Sequence, residues 1–407
     1  MKLFSAKSRA VLLRWYSANK RAMPWRGVRD PYRIWLSEVM LQQTRVAAVV
    51  GYYRRFVRRF PTARALARAS QNEVLKHWAG LGYYSRARNL HRAAKEIVAK
   101  HGGQFPRTLE AALALPGVGR YTAAAVLSIA YNQPHAVLDG NVARVLARLY
   151  AIRGELRAPR RWKALQSLAD ELLGGKSTGA GASACARAEA RATTAALKRR
   201  TPYEAGDWNQ AMMELGATVC TPRAPRCDAC PVARWCRARK LAIVDELPAT
   251  RRKRQPVRMA VTAAVLLDPR GRTLLIKPAH AATNGLFSHM WQFPAVEGAR
   301  NAQRKLVKLV QGAKVKSVTQ RTRRAPEGTK EPTGPIALKP AKHSVTFREI
   351  TLRPFLLRVE TLPRVSGART PRLDKLESLP VSNATRKIAQ RALEFLARGD
   401  ARQVTTN

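Results

Sequence analysis

Four cysteines set within 17 residues constrain this chain more than any other feature. The spacing Cys220-x6-Cys227-x2-Cys230-x5-Cys236, with Pro222, Pro225 and Pro231 between the thiols, forces the backbone into turns that can wrap an inorganic centre. Unliganded core cysteines fit poorly, because Arg223, Arg226, Asp228, Arg234 and Arg237 make the segment too polar for a core. Crowding four of five cysteines into one stretch argues for metal ligation over a disulfide framework. Four soft thiolates fit structural zinc or a 4Fe-4S cluster. Zinc sites more often pair two short Cys-x2-4-Cys knuckles, whereas here one knuckle is flanked by wider gaps.

The chain must also meet a polyanion. Its 75 Lys and Arg against 26 Asp and Glu give a formal charge of +49, spread along 407 residues that allow two or three domains. Nucleic acid and anionic membrane both reward such charge through counterion release, and the motifs below favour nucleic acid. No apolar run approaches the roughly 20 residues that span a bilayer. Lys2, Lys7, Arg9 and Arg14 interrupt any secretory core, so a cytosolic (if bacterial, nucleoid-associated) monomer is expected.

Apolar residues at three- and four-residue spacing, such as Val142, Val145, Leu146 and Leu149, predict helices from 1 to about 173. Residues 174–200 are rich in Gly, Ala, Ser, Thr and Arg and are expected to form a surface insertion, with Cys185 a free thiol of no role. Helical pattern resumes near Asp207 and ends at the cysteines, closing a first region at 1–240. Residues 241–256, with two prolines and the run Arg251-Arg-Lys-Arg254, read as a connector. The period then changes. Residues 258–267, 268–271 and 272–276 read as strand, turn, strand, and 344–350 with 352–359 as a second strand pair, separated from the first by a Lys/Arg- and Pro-rich loop at 312–342. The fold class expected is therefore a mainly α N-terminal region followed by an α+β domain at 257–396, with a frayed tail at 397–407.

Leu113-Ala-Leu-Pro-Gly-Val-Gly-Arg-Tyr-Thr-Ala-Ala-Ala-Val126 has the form helix, Gly-rich turn, helix. Gly117 and Gly119 would let the backbone approach closely, and the amides opening the second helix could hold a phosphate oxygen. Many helix pairs use glycine only to turn, so the neighbouring motifs decide. Asp139 stands just before another helix, where an N-cap is the commoner role and a catalytic carboxylate the alternative. Glu38 follows Asp30-Pro31, a helix start, and has Ile34, Trp35 and Leu41 beside it. Against a solvated glutamate, or one paired with Arg45, these apolar neighbours predict a desolvated acid with a raised pKa, as a proton donor near neutral pH requires.

Together Met23-Pro-Trp-Arg26, Ser37-Glu-Val-Met-Leu-Gln-Gln-Thr44, Gly80-Leu-Gly-Tyr-Tyr-Ser-Arg-Ala-Arg-Asn89, Leu115-Pro-Gly-Val-Gly-Arg-Tyr-Thr122, Leu138-Asp-Gly-Asn141, Asn209-Gln-Ala-Met-Met-Glu-Leu-Gly216 and the four cysteines resemble MutY-type adenine DNA glycosylases over most of residues 8–240. The resemblance implies a helix-hairpin-helix fold with a 4Fe-4S cluster on Cys220, Cys227, Cys230 and Cys236. It implies an enzyme that flips adenine opposite 8-oxoguanine or guanine out of duplex DNA and removes it. Glu38 would protonate the adenine and Asp139 would stabilise or transiently bond the sugar cation, with Tyr121 and Asn141 in support. Arg26 and Glu214 would lie at the flipped base, Gln43 and Tyr83 would wedge the stack, and Thr44 and Leu81 would face the opposite base. Arg86, Gly117 and Gly119 would join the DNA contacts. Relatives that also cut the strand carry a lysine at position 121, whose amine forms a Schiff base, and a tyrosine cannot.

Residues from 257 on resemble the Nudix-like C-terminal domain of the same family, with Gly285-Leu-Phe-Ser-His-Met-Trp-Gln-Phe-Pro294 the clearest match. The Arg-Glu-x-x-Glu-Glu helix of a hydrolysing Nudix domain is missing from the sequence, so DNA binding without nucleotide hydrolysis is implied. Of two candidates for the lesion-reading loop, Phe287-Ser288-His289 belongs to the wrong element. His343-Ser-Val-Thr-Phe347 fits by position, making Thr346 the recognising hydroxyl or an ordinary strand threonine. Two rival readings share these motifs: an endonuclease III-like glycosylase/lyase, against which Tyr121 and the second domain count, and a non-catalytic iron-sulfur DNA-binding protein, against which the two carboxylates count.

Overall fold

The computed structural model describes residues 6–174, 204–249, 255–277, 290–298, 306, 335–345 and 347–404. They form two compact units, one of Met1–Ala69 with Ser85–Arg252 and the other of Ser70–Tyr84 with Lys253–Asn407. Thr346, Phe287 to His289, Cys185 and nearly all of the 174–200 insertion lie outside the described residues.

The helices, in chain order, are α1 (Ala6–Asn19), α2 (Pro31–Leu41), α3 (Val46–Arg59), α4 (Ala63–Arg68), α5 (Gln71–Trp78), α6 (Ser85–Lys100), α7 (Leu109–Leu113), α8 (Arg120–Tyr131), α9 (Gly140–Tyr150), α10 (Pro159–Leu173), α11 (Ala205–Thr218) and α12 (Arg237–Lys240). All but α5 belong to the first unit. Helix α2 starts as the sequence predicts: the Asp30 carboxylate accepts the Tyr32 amide at 2.8 Å and Pro31 occupies the first turn. Eight of its eleven residues, from Tyr32 to Met40 except Arg33, are buried, so Glu38 sits in a helix enclosed nearly all round. Helix α8 packs on it with Ala123, Ala124 and Ala125 buried, small side chains that let two helices approach closely.

The far end of α2 corrects one expectation. Arg86, on α6, is not free to meet DNA. It is 9% exposed, and its guanidinium donates to the carbonyls of Val39 at 2.9 Å, Met40 at 2.8 Å and Gln42 at 2.6 Å, and to the Thr44 hydroxyl at 3.1 Å. A helix ends with carbonyls that have no intrahelical partner, and a buried end must find donors elsewhere. Arg86→Met, which keeps most of the stem and removes the donors, is expected to destabilise the protein by about 3 kcal/mol or more in chemical unfolding. Duplex affinity per folded molecule should be unchanged; normal stability with lost affinity would restore Arg86 as a contact.

Helix α3 is amphipathic in an unusual way. Val49, Tyr53 and Phe56 are buried while Arg54, Arg55, Arg58 and Arg59 are exposed. The pairs 54/58 and 55/59 put like charges one turn apart, at a cost of roughly 0.2–0.5 kcal/mol each.

The first unit extends further than the sequence suggested. Residues 241–249, read as connector, are packed: Ile243 and Leu247 join Ala238 in a small apolar cluster, and Arg148 donates to the carbonyls of Val244 at 3.2 Å and Leu247 at 2.8 Å. These internal partners override the proline signal.

The second unit carries a mixed five-stranded sheet of β1 (Val257–Leu267), β2 (Ala295–Glu297), β3 (Ile336–Ala337), β4 (Ala341–Val345) and β5 (Arg348–Arg358), with α13 (Asn383–Val404) packed on it. Strands β1 and β5 run parallel from Val257↔Arg348 to Leu267↔Arg358; β2 is antiparallel to β1, and β3 and β4 are antiparallel to β5. Trp291, Phe293, Leu352 and Leu356 form the core with Ile388 and Ala392 of α13. Two details differ from expectation. The Asp268 turn forms, its carboxylate accepting the amides of Arg270 and Arg272, but among the described residues, 272–276 make isolated bridges, to Leu267 of β1 and to Arg369, Arg372 and Gln292 outside the sheet, in place of a strand. The second strand pair is Ala341–Val345 with Arg348–Arg358, and no break falls at 351: Ile350 and Leu352 are both buried on one strand. The expected frayed tail is helical up to Val404.

Candidate active site

A cavity of about 500 Å³ in the first unit is walled by α2, α8, the start of α9, α11 and the loops flanking α2. Glu38, Tyr121, Asp139, Asn141, Arg26, Gln43, Thr44 and Glu214, singled out from sequence, all line it. Glu38 is 7% exposed, and burial pushes its carboxyl up to about 7. The Tyr121 hydroxyl opposes this by donating to Glu38 Oε2 at 2.8 Å, the negative charge of Asp139 adds to it, and Arg26 counters it. Burial, then the charges of Glu38 and Asp139, hold the Tyr121 phenol well above its ordinary value, so it stays a proton-bearing donor. It also lies 3.2 Å from Met213 Sδ.

For Asp139 the two readings coincide. It is the N-cap of α9, Oδ1 accepting the amides of Asn141 at 2.9 Å and Val142 at 2.8 Å, while Oδ2 accepts from the Asn141 side chain at 2.9 Å. The cap fixes the carboxylate in the cavity wall. Asn141 is held in turn by Arg144, whose guanidinium donates to Asn141 Oδ1 at 2.9 Å, the Gly216 carbonyl at 2.8 Å and the Cys220 carbonyl at 2.8 Å. Hydrogen bonds thus run unbroken from the first cysteine to Asp139.

Glu214 is completely buried. Arg21 Nε meets it at 2.5 Å and Arg26 Nη2 at 2.6 Å, and Arg26 also donates to the Tyr16 hydroxyl and to Gln210 Oε1. Gln43 has a left-handed backbone, φ 57°. Leu81 and Tyr83 belong to the second unit; Leu81 is buried, and Tyr83 is 38% exposed with φ 49°. The hairpin forms as expected, α7 and α8 joined by a turn in which Gly117 has φ 75° and a Cβ would fall 2.7 Å from that of Asn89. Gly119 is the N-cap of α8 and supplies no side-chain hydrogen bond, and a Cβ there would meet nothing within 4 Å.

Cys220, Cys227, Cys230 and Cys236 line a second, small cavity. Arg148, 2% exposed, crosses its wall, donating to Cys220 Sγ at 3.4 Å and to the Thr221 carbonyl at 2.7 Å. Burial and the neighbouring thiols push Cys230 up to about 12, so holding thiolates there calls for a cationic centre. Among the described residues no three His, Cys, Asp or Glu side chains converge around the position of a single metal ion.

Residues 36–171 match the HhH-GPD superfamily of base excision DNA repair proteins. The chain is 44% identical to an adenine DNA glycosylase of Homo sapiens over 251 residues, covering 60% of this chain and 41% of that one. Adenine DNA glycosylases of Rattus norvegicus and Arabidopsis thaliana are 38% and 36% identical, each over 71% of this chain and over 60% and 47% of their own. The chain is thus similar to adenine DNA glycosylases across most of its helical region. The chain spans about half the length of these relatives. The motif resemblance named the other cavity residues, but not Arg21, Tyr16, Gln210, Met213, Arg144 and Arg148 as parts of the site. The two inner arginines had a signal: Arg144 and Arg148 follow Asn141 by three and seven residues, on one face of α9.

Proposed function

We propose that the chain is a base-excision glycosylase that takes adenine, mispaired with 8-oxoguanine or guanine, out of duplex DNA and hydrolyses its N-glycosidic bond, leaving an abasic site. One observation carries this: a desolvated acid poised near neutrality and a rigidly capped aspartate share a single cavity. Protonated Glu38 gives its proton to N7 of the adenine, the C1′–N9 bond breaks with its electron pair leaving on the base, and the sugar becomes cationic. Asp139, with three N–H donors converging on it, stabilises that cation electrostatically or bonds to it transiently. Water then adds at C1′ and returns a proton to Glu38. Tyr121 keeps Glu38 oriented, and having no amine it forms no Schiff base, so strand cutting is not part of the reaction.

The cysteine loop fits a 4Fe-4S cluster. A zinc ion at about 2.3 Å from each sulfur would draw the thiols into one tight tetrahedron, whereas a four-iron cluster takes one thiolate at each iron and spaces them widely. Cys220, Cys227, Cys230 and Cys236 would hold it, with Arg148 offsetting its negative charge. When bound, the cluster supplies a rigid cross-link of the loop.

The second unit goes with this reading as a Nudix-like domain that meets the base opposite adenine. Phe347 is 40% exposed at the turn between β4 and β5, beside the proposed reading residue Thr346. A DNA partner and a cytosolic setting suit the charge of +49. Single-turnover reaction of a duplex with one adenine opposite 8-oxoguanine, developed with and without alkali on protein assayed for iron, tests the proposal. Cutting at adenine only after alkali is expected. Cutting without alkali would make the protein a lyase, and none by iron-loaded protein would leave a DNA-binding protein.

A further inference from the structure

Between Glu38 and Glu73 the sequence carries seven arginines and no acidic residue. Four of them, Arg54, Arg55, Arg58 and Arg59, stand exposed on the outer face of α3. Among the described residues no carboxylate pairs with Arg54, Arg55 or Arg58. Like charges a turn apart raise the free energy of a helix, and acids interspersed among them would relieve it. For Arg54, Arg55 and Arg58, which have no such acid among the described residues, the repulsion works against folding unless something anionic lies on them.

Its geometry matches a phosphate backbone. Arg54 and Arg58, and likewise Arg55 and Arg59, are separated by four residues, about 6 Å along the helix axis, close to two nucleotide steps of about 3.4 Å along one DNA strand. The Arg55 guanidinium lies 4.6 Å from the centroid of the Tyr52 ring, a cation–π contact that restrains its position. Among the described residues of α3, Val46 alone lines the base-excision cavity. Arg54 stands eight residues beyond it, about 12 Å along the axis.

We propose that this face of α3 is a second contact for duplex DNA, gripping phosphates irrespective of sequence and outside the cavity that takes the base. Occupied by undamaged duplex, it would hold the protein on DNA while the cavity is empty. The contact does not depend on which base is excised, so it stands or falls separately from the reaction proposed above.

The test is binding of an undamaged 30-base-pair duplex, by fluorescence anisotropy across a salt series. Arg54, Arg55, Arg58 and Arg59 are replaced together by Gln, which preserves helix propensity. Beside this variant stands a control that replaces the exposed Arg153, Arg157, Arg160 and Lys163 in the same way. With each lost phosphate contact lowering the slope of log Kd against log salt by about 0.9, the α3 variant should lose about two to four from that slope. It should also bind at least tenfold more weakly at 100 mM salt, while the control changes little. Cleavage at saturating protein should be unaltered in both. The paired variants Arg54→Gln with Arg58→Gln, and Arg55→Gln with Arg59→Gln, should each show about half the effect and serve if the fourfold change does not fold. An unchanged slope, or equal losses in the α3 variant and the control, would overturn the proposal. So would loss of polyglutamate binding with duplex binding intact, which would make the ladder a site for an acidic protein.

Discussion

Glu38→Gln will lower single-turnover adenine release at pH 7 by about 10²–10⁴, the span a positioned general acid contributes. The native enzyme should lose rate about tenfold per pH unit above 7, because the Glu38 carboxyl titrates at about 7 and only its protonated form can donate. The same burial predicts an opposite effect on stability. The folded-state pKa is raised from 4.5 to about 7, so the folded protein binds the proton more tightly than the unfolded chain does. Stability contributed by this group is fully present below pH 4.5, declines as pH rises through the interval to 7, and is gone above it. The loss corresponds to about 3 kcal/mol. Glutamine carries no charge to desolvate, so the variant should gain on the native protein by up to that amount in chemical unfolding at pH 8 and by little at pH 4.5. The same stability difference between variant and native protein at both pH values, or a variant retaining full rate, would show that Glu38 is not the buried acid.

Asp139→Asn is expected to lose about 10²–10³ in the same assay, the scale on which removing one preorganised electrostatic group acts. Its folding should change by no more than about 1 kcal/mol, since asparagine caps helices as well as aspartate does. Asp139→Ala removes the cap along with the charge and should cost about a further 1 kcal/mol of stability with no greater loss of rate. The difference between the two variants separates what α9 needs from what the reaction needs. Asparagine within tenfold of the native rate would reduce Asp139 to its cap.

Legibility in the sequence followed locality. The start of α2, the hairpin and the cap at Asp139 each depend on a few adjacent residues, and each was readable. The pairing of Tyr121 with Glu38, 83 positions apart, depends on the packing of α8 on α2; the motif resemblance put both residues at one site without giving the contact. Arg21 and Arg26 reach Glu214 across more than 180 positions, and no local pattern encodes such a clamp. In the second unit the alternation at 344–359 was split at 351, whereas Arg348–Arg358 is one strand paired with Ala341–Val345; a two-residue period does not say where one strand ends and the next begins. The helix over 383–404 went unread because its apolar face packs against a sheet whose position was not known.

Arg86 shows how a pattern can name the right residue for the wrong task. It stands in a stretch dense with glycine and arginine, the dress of a nucleic-acid contact, and instead closes the end of the helix that carries Glu38. In a genetic screen its replacements would behave as temperature-sensitive alleles, failing when warm and recovering when cool. Second-site changes that tighten packing anywhere in the helical unit would suppress them, a rescue that a vanished contact with DNA could not receive.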